Sequence, residues 1–260
     1  MGCRRLAPGF FTGAVAIVIM GQGSIESYRN VRVHKHTFCL AVCLLALGIS
    51  IPALSGQQAN NTASITYTKA MKGSVPEYTS ITVDRNGVGT YQGRRLNSSP
   101  DPRPLKLSAA TTEELFQVAA SLDDFHSITL ESNKRVANLG QKTFIYRHDG
   151  RESKVEFNYT QNKRAQELLT LFEGIASVEQ HITTLEYSSR YDVLGLPSAL
   201  THVQIDLDNH ALVDPQLMVP ILKKIAGDSQ YLHIAQLRAE NILRRIQGSR
   251  NPRKSEHHIF

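Results

Sequence analysis

The order of elements in the sequence is strands, a helix, strands, then helices, which predicts an α+β fold: a small, mainly antiparallel sheet with packed helices, followed by a long helix and a C-terminal helical subdomain. Three observations carry this expectation. Tyr78 to Tyr91 alternates on either side of Asn86-Gly87, as a β-hairpin does. Leu115, Val118, Ala119 and Leu122 recur at i, i+3, i+4 and i+7, one stripe of a helix. From Gln161 the period becomes helical and stays so, with Leu168, Leu171, Phe172, Ile175, Val178, Ile182 and Leu185 forming one apolar seam.

The elements follow in order. Ser64 to Thr68 alternates as a strand, and Lys72-Gly73-Ser74 turns the chain into the hairpin, where Ile81 and Val83 share a face and Asn86-Gly87 can adopt positive φ. Leu96 to Pro104 reads as a Pro/Ser/Asn loop. Thr111 opens a helix with Glu114 three residues on, a capping box in which each side chain satisfies a free backbone N–H. Phe125 closes that helix's core. One strand lies near Val136 to Leu139 or in Thr143 to Arg147, another at Lys154 to Tyr159, with His148-Asp149-Gly150-Arg151 as the turn. The long helix runs to about Asp192 and breaks at Gly195-Leu-Pro197. Shorter helices follow at Ser198 to Leu207, Pro215 to Ala226 and Tyr231 to Gln247. Asp214 is the expected N-cap before Pro215, and Gly227 and Gly248 punctuate the ends.

Before all this lies an apolar run, Thr37 to Leu54, preceded by His34-Lys35-His36 and followed by Ser55 and Gly56. A charged start, an apolar helix and small residues at a cleavage site make a secretory signal, here cut near Gly56. An uncleaved anchor is the rival reading, since the run approaches the roughly 20 residues a spanning helix needs. A second apolar stretch, Leu6 to Met20, makes residues 1–35 a doubtful extension, with translation starting at Met20 or later. The expected organisation is residues 36–56 as signal peptide, 57–62 as linker, 63–182 as the α+β domain, 183–248 as the helical region and 249–260 as a disordered basic tail.

Charge sharpens the picture. The whole chain has 29 basic and 23 acidic residues, net +6. Loss of residues 1–56 removes Arg4, Arg5, Arg29, Arg32, Lys35 and Glu26, leaving 24 basic against 22 acidic, net +2. The general electrostatic case for nucleic-acid binding goes with them. All three cysteines, Cys3, Cys39 and Cys43, are also lost, so thiol catalysis is excluded after cleavage. About 200 remaining residues bury enough core to fold without disulfides. Sequons stand at Asn60, Asn97 and Asn158.

Pro76-Glu-Tyr78, Ile81-Thr-Val83-Asp84, Gly87-Val-Gly89-Thr-Tyr91-Gln-Gly93, the Leu107-Ser108-x-x-Thr111 helix opening and Phe125 carry a resemblance. Over about residues 64–182 the chain resembles a family of exported bacterial domains of unknown function. The loop before Pro76 lacks the cysteines often found there. The resemblance implies a fold and an exported setting, and it brings no catalytic residues.

No motif assigns a catalytic, cofactor-binding or metal residue. Asp206-Leu-Asp208-Asn209-His210 with Asp214 is the densest set of potential ligands, but an EF-hand loop's Gly and closing Glu are missing, and a solvated helix end is the simpler reading. Glu179, His181 and Glu186 lack the His-Glu-x-x-His spacing of a zinc helix. His126-Ser127 and Glu131-Ser132 offer base and nucleophile without a Gly-x-Ser-x-Gly elbow. Gly87, Gly89 and Gly93 sit in a hairpin, where turn and bulge roles outweigh phosphate binding. Tyr67, Tyr78 and Tyr91 can form an aromatic patch on one sheet face, and His257-His258 is a weak metal pair. The expectation is therefore an exported, periplasmic or extracellular cell-envelope protein, a non-catalytic binding or interaction module whose partner is an unknown protein or envelope ligand. Nucleic acid is not expected, nor is membrane, except through an uncleaved N-terminal segment. The alternatives are an envelope hydrolase with a site assembled from His126, Glu131 or His148, and a membrane-anchored structural spacer.

Overall fold

The computed structural model describes residues 62–132 and 134–248; the export segment, the doubtful extension, Asn60 and the tail at 249–260 lie outside the described residues. Six strands form one antiparallel sheet: β1 (Ser64–Ala70), β2 (Tyr78–Asp84), β3 (Val88–Arg94), β4 (Arg103–Lys106), β5 (Gln141–His148) and β6 (Arg151–Phe157). Their order across the sheet is β4-β3-β2-β1-β5-β6. The helices are α1 (Ala109–Ala120), α2 (Lys163–Tyr191), α3 (Leu196–Asp208), α4 (Val219–Gly227) and α5 (His233–Gly248). This is the α+β architecture expected, with the long helix and the C-terminal helices following the sheet. Among the described residues no helix is long and apolar enough to cross a membrane.

Register explains the inner face. Tyr67 pairs with Ile81 and Phe144, Ile81 with Tyr91, and Phe144 with Val155, so these side chains point the same way. They are buried beneath α1 and the first half of α2. Phe144 is the hub, its ring centroid 5.3–6.1 Å from those of Tyr67, Phe125, Phe157 and Phe172. Tyr78 corrects the expected patch: it pairs with Ala70 and Arg94, on the opposite face from Tyr67 and Tyr91, and its ring stacks under the Arg94 guanidinium. A second core joins the later half of α2, from Val178 to Leu185, to α3, α4 and α5. The change from one core to the next falls between Ala176 and Val178, so the boundary drawn at residue 182 lies inside α2.

Four local readings are corrected. In the hairpin only Gly87 takes positive φ, and the three-residue connection Arg85-Asn86-Gly87 is held by the Asp84 carboxylate, which accepts from the Asn86 and Val88 N–H groups at 2.8 and 2.9 Å. Pro104 does not end a loop: it sits in β4, an edge strand where the missing N–H costs nothing. Ser108, not Thr111, caps α1, its hydroxyl accepting from the Thr111 N–H at 3.2 Å. Asp214 has φ 56° and does not cap the helix it precedes, which opens as a 3-10 turn at Pro215–Met218. Its carboxylate turns back to α1, accepting from the Ser108 N–H at 2.7 Å and the Thr111 hydroxyl at 2.8 Å. A buried anion at a helix N-terminus answers both the unpaired N–H groups and the helix dipole.

Gly89 and Gly174 are needed for close approach. A Cβ on Gly89 would fall 1.8 Å from the Thr82 carbonyl oxygen, and one on Gly174, in the middle of α2, would meet Val213 at 2.5 Å.

Candidate functional site

A cleft of about 610 Å³ opens where the ends of β1 and β5 meet α2. Its centre is an electrostatic problem set by register: Lys69 on β1 lies directly opposite Lys142 on β5, both on the inner face. Like charges placed so repel. Two devices resolve it. Glu173, reaching down from α2, pairs with the Lys69 ammonium at 2.8 Å. Lys142 is 5% exposed and donates to the carbonyls of Leu139, Gly140 and Asn158 at 3.0, 3.1 and 2.8 Å. Burial, and then the Lys69 charge, hold its pKa below the ordinary lysine value. All three N–H groups of the ammonium are occupied, so Lys142 fastens the 139–140 and 158 segments and offers no free amine.

Lys69 is different. It has one acceptor, Glu173, and both side chains are partly open to solvent. Gln166 and Thr170 on α2 add polar groups beside them, and Met71, Leu139, Phe157 and Leu169 give the cleft an apolar wall. Beneath lies the Tyr67 hydroxyl, buried beside Glu173 but without a hydrogen bond of good geometry. Burial first, and the Glu173 carboxylate second, push its pKa above the usual phenol range.

A second cleft of about 310 Å³ lies farther along α2, against β3 and β4, lined by Tyr91, Arg103, Gln180 and Thr183 among others. Arg103 donates to the Thr183 hydroxyl at 2.9 Å and pairs with Glu186 at 3.1 Å. Glu179, 5% exposed, stands near both; burial raises its carboxyl pKa, Arg103 lowers it and Glu186 raises it again.

Asp123, Asp124 and Phe125 have φ of 53°, 47° and 67°, a left-handed turn that drives Phe125 into the core, where its ring stacks 5.4 Å from that of Phe144. Asp124 leaves one buried carboxylate oxygen without a partner, and burial raises its pKa, with Arg85 opposing and Asp123 adding to the rise.

The residues singled out from the sequence are scattered. His126 is exposed after the left-handed turn, His148 lies 3.4 Å from Asp149 at the β5–β6 turn, and the Glu131 carboxylate accepts from the Asn158 N–H at 2.5 Å. The hydrogen bonds of these three join none of them to another. The clefts above include none of the three among their lining residues. Asp206 is held by His181 at 2.7 Å, Asp208 by Arg245, and Asp214 by α1. Among the described residues no cluster of three or more His, Cys, Asp or Glu could hold a metal ion. Gly87 turns the hairpin, Gly89 admits Thr82, and Gly93 leaves room for the Tyr91 hydroxyl, 2.5 Å from where a Cβ would stand. Lys69, Lys142, Glu173, Arg103 and Asp124 were not read from the sequence as site residues. Only strand register could have brought Lys69 to Lys142, and a lysine in an otherwise alternating apolar strand, Lys142-Thr-Phe-Ile-Tyr146, was the available signal.

No family model matches the chain, and no curated protein matches it.

Proposed function

We propose that the protein is an exported, non-catalytic binding module of the cell envelope, and that the cleft at the end of β1 and β5 takes a small amphipathic ligand carrying a carboxylate. One observation carries the reading: of the two lysines placed face to face, Lys142 is fully engaged by backbone carbonyls, whereas Lys69 keeps ammonium N–H groups to offer beside an apolar wall. A ligand carboxylate can join or replace Glu173 on Lys69 while its apolar body lies on Leu139 and Leu169. Polar recognition at one end and apolar contact at the other is the pattern of a small-molecule site. The exported setting is supported by Thr37 to Leu54 and by the resemblance over residues 64–182.

Calorimetric titration with small carboxylates, among them acidic sugars and short peptides, tests the site. Saturable binding by one of them is expected, and Lys69→Met should abolish it while leaving the melting temperature within a few degrees, because a half-exposed ion pair is worth about 0–1 kcal/mol. Binding undiminished in Lys69→Met would remove the cleft from consideration. Cell fractionation with N-terminal sequencing tests export, and full-length protein in the cytoplasm would overturn it.

A further inference from the structure

Beneath the Lys69 cleft lies a buried donor that nothing answers. The Tyr67 hydroxyl is fully buried and has no hydrogen-bond partner, although a buried polar group left unpaired is costly and rarely tolerated. Burial, and then the neighbouring Glu173 carboxylate, hold its pKa above the ordinary phenol range, so it keeps its proton and stands as a donor. The ring is fixed in place. It stacks on Phe172 with centroids 5.2 Å apart and an interplanar angle of 16°, and its centroid lies 5.8 Å from that of Phe144. An acceptor must therefore come to Tyr67.

Glu173 is the group that can come. It follows Phe172 on α2, and its carboxylate lies beside the Tyr67 hydroxyl without the geometry of a hydrogen bond, while one of its oxygens is held by the Lys69 ammonium at 2.8 Å. Tyr67 and Lys69 are two residues apart on β1, so both project from its inner face, about 7 Å apart along the strand. One carboxylate stands within reach of both. The Lys69–Glu173 pair is also loose: its side chains are 31% and 42% exposed, and an ion pair this open contributes little. The neighbouring polar groups are committed elsewhere. Lys142 has its three N–H groups on backbone carbonyls, Gln166 donates to the Thr160 carbonyl and Thr170 to the Gln166 carbonyl.

We propose that Glu173 is a displaceable guard on Lys69 and that the Tyr67 hydroxyl is its second seat: a ligand carboxylate takes the ammonium, and the Glu173 carboxylate turns to accept from Tyr67. This rests on the reading of the cleft as a carboxylate site. The exchange replaces one charge-assisted bond by two, Lys69 to the ligand and Tyr67 to Glu173, and it draws the second anion away from the first. The hydroxyl left unanswered while Glu173 sits on Lys69 gains its acceptor in the bound form. The guard also sets selectivity, because an anion can compete with a carboxylate for an ammonium and a neutral amphiphile of the same shape cannot. Tyr67 is thus a positioning residue that acts on affinity through Glu173.

A cycle of melting temperatures on the full chain tests the second seat without any ligand. Tyr67→Phe should leave the parent's melting temperature unchanged or raise it, because the hydroxyl removed has no partner. In Lys69→Met protein, where Glu173 has lost the ammonium and turns to Tyr67, the same change should lower it by about 3–6 °C, and Glu173→Ala should erase that difference. Calorimetry with hexanoate reads the exchange itself. Tyr67→Phe should bind about tenfold more weakly than the parent, the loss of one hydrogen bond to a charged acceptor, whereas in Glu173→Ala protein Tyr67→Phe should change nothing. Hexanamide should bind neither. An additive cycle, equal hexanoate affinities of parent and Tyr67→Phe, or a loss that persists in Glu173→Ala protein would each overturn the exchange and leave the carboxylate cleft standing. If neither hexanoate nor the acidic sugars and peptides saturate the parent, the carboxylate reading itself falls, and the exchange with it.

Discussion

Asp214 ties the C-terminal helical layer to α1, and its removal should be among the most costly single changes in the protein. The carboxylate is 6% exposed and accepts from the Ser108 N–H at 2.7 Å, the Thr111 hydroxyl at 2.8 Å and the Gln216 amide at 2.6 Å. Hydrogen bonds to a charged acceptor contribute about 1.5–3 kcal/mol each, though bonds sharing one carboxylate do not add fully. Asp214→Ala should therefore cost about 3–4 kcal/mol, a fall of about 6–16 °C in melting temperature for a domain of this size. Part of the cost comes from alanine at φ 56°, and Asp214→Gly separates it, because glycine adopts that φ freely while lacking the carboxylate. Asp214→Asn keeps one acceptor oxygen and tolerates the left-handed conformation, so it should lose about half as much. Urea unfolding followed by far-ultraviolet circular dichroism measures all three. The reasoning is refuted if Asp214→Ala stays within 1 kcal/mol of the parent, or if Asp214→Gly restores full stability.

Glu179→Gln should raise the melting temperature at pH 7 and change little at pH 4. The raised carboxyl pKa means that its stabilising, protonated form is fully present below the unfolded value and is lost as pH rises through the folded one; equal melting temperatures at pH 7 would exclude this. Tyr91, whose pKa burial and then Glu179 push up to about 12, sets an alkaline limit. Stability should hold below pH 10 and fall by about 2–3 kcal/mol as pH rises through about 12, and Tyr91→Phe should flatten that fall in a pH series of urea melts. Gly89→Ala should prevent normal folding of the β2–β3 hairpin, because its methyl group would overlap the Thr82 carbonyl; a soluble variant with the parent's circular dichroism spectrum would contradict the register.

The parts of the fold legible in the sequence are those whose signals are local. The 29-residue α2 follows from its apolar seam, and the β5–β6 turn from Asp149-Gly150, both at positive φ. Thr111 shows where local reading stops: Thr-x-x-Glu satisfies a capping pattern, yet its hydroxyl is drawn away by Asp214, a residue 103 positions on. The site was hidden for the same reason. Lys69 and Lys142 become a site only when β1 and β5 pair, and Glu173 only when α2 crosses them. Tyr78 shares its residue type with Tyr67 and Tyr91, but strand parity sends it to the other face.

Because α2 contributes Leu168 and Phe172 to one core and Val178 and Leu185 to the other, the molecule cannot be divided. A fragment stopping at Ile182 would leave that residue and Val178 uncovered, and a fragment beginning after it would lack the helix on which α3 rests. Any recombination that moved only the sheet, or only the last three helices, would strand half of a helix about 43 Å long. The sheet and the last three helices are therefore inherited, transplanted or truncated together.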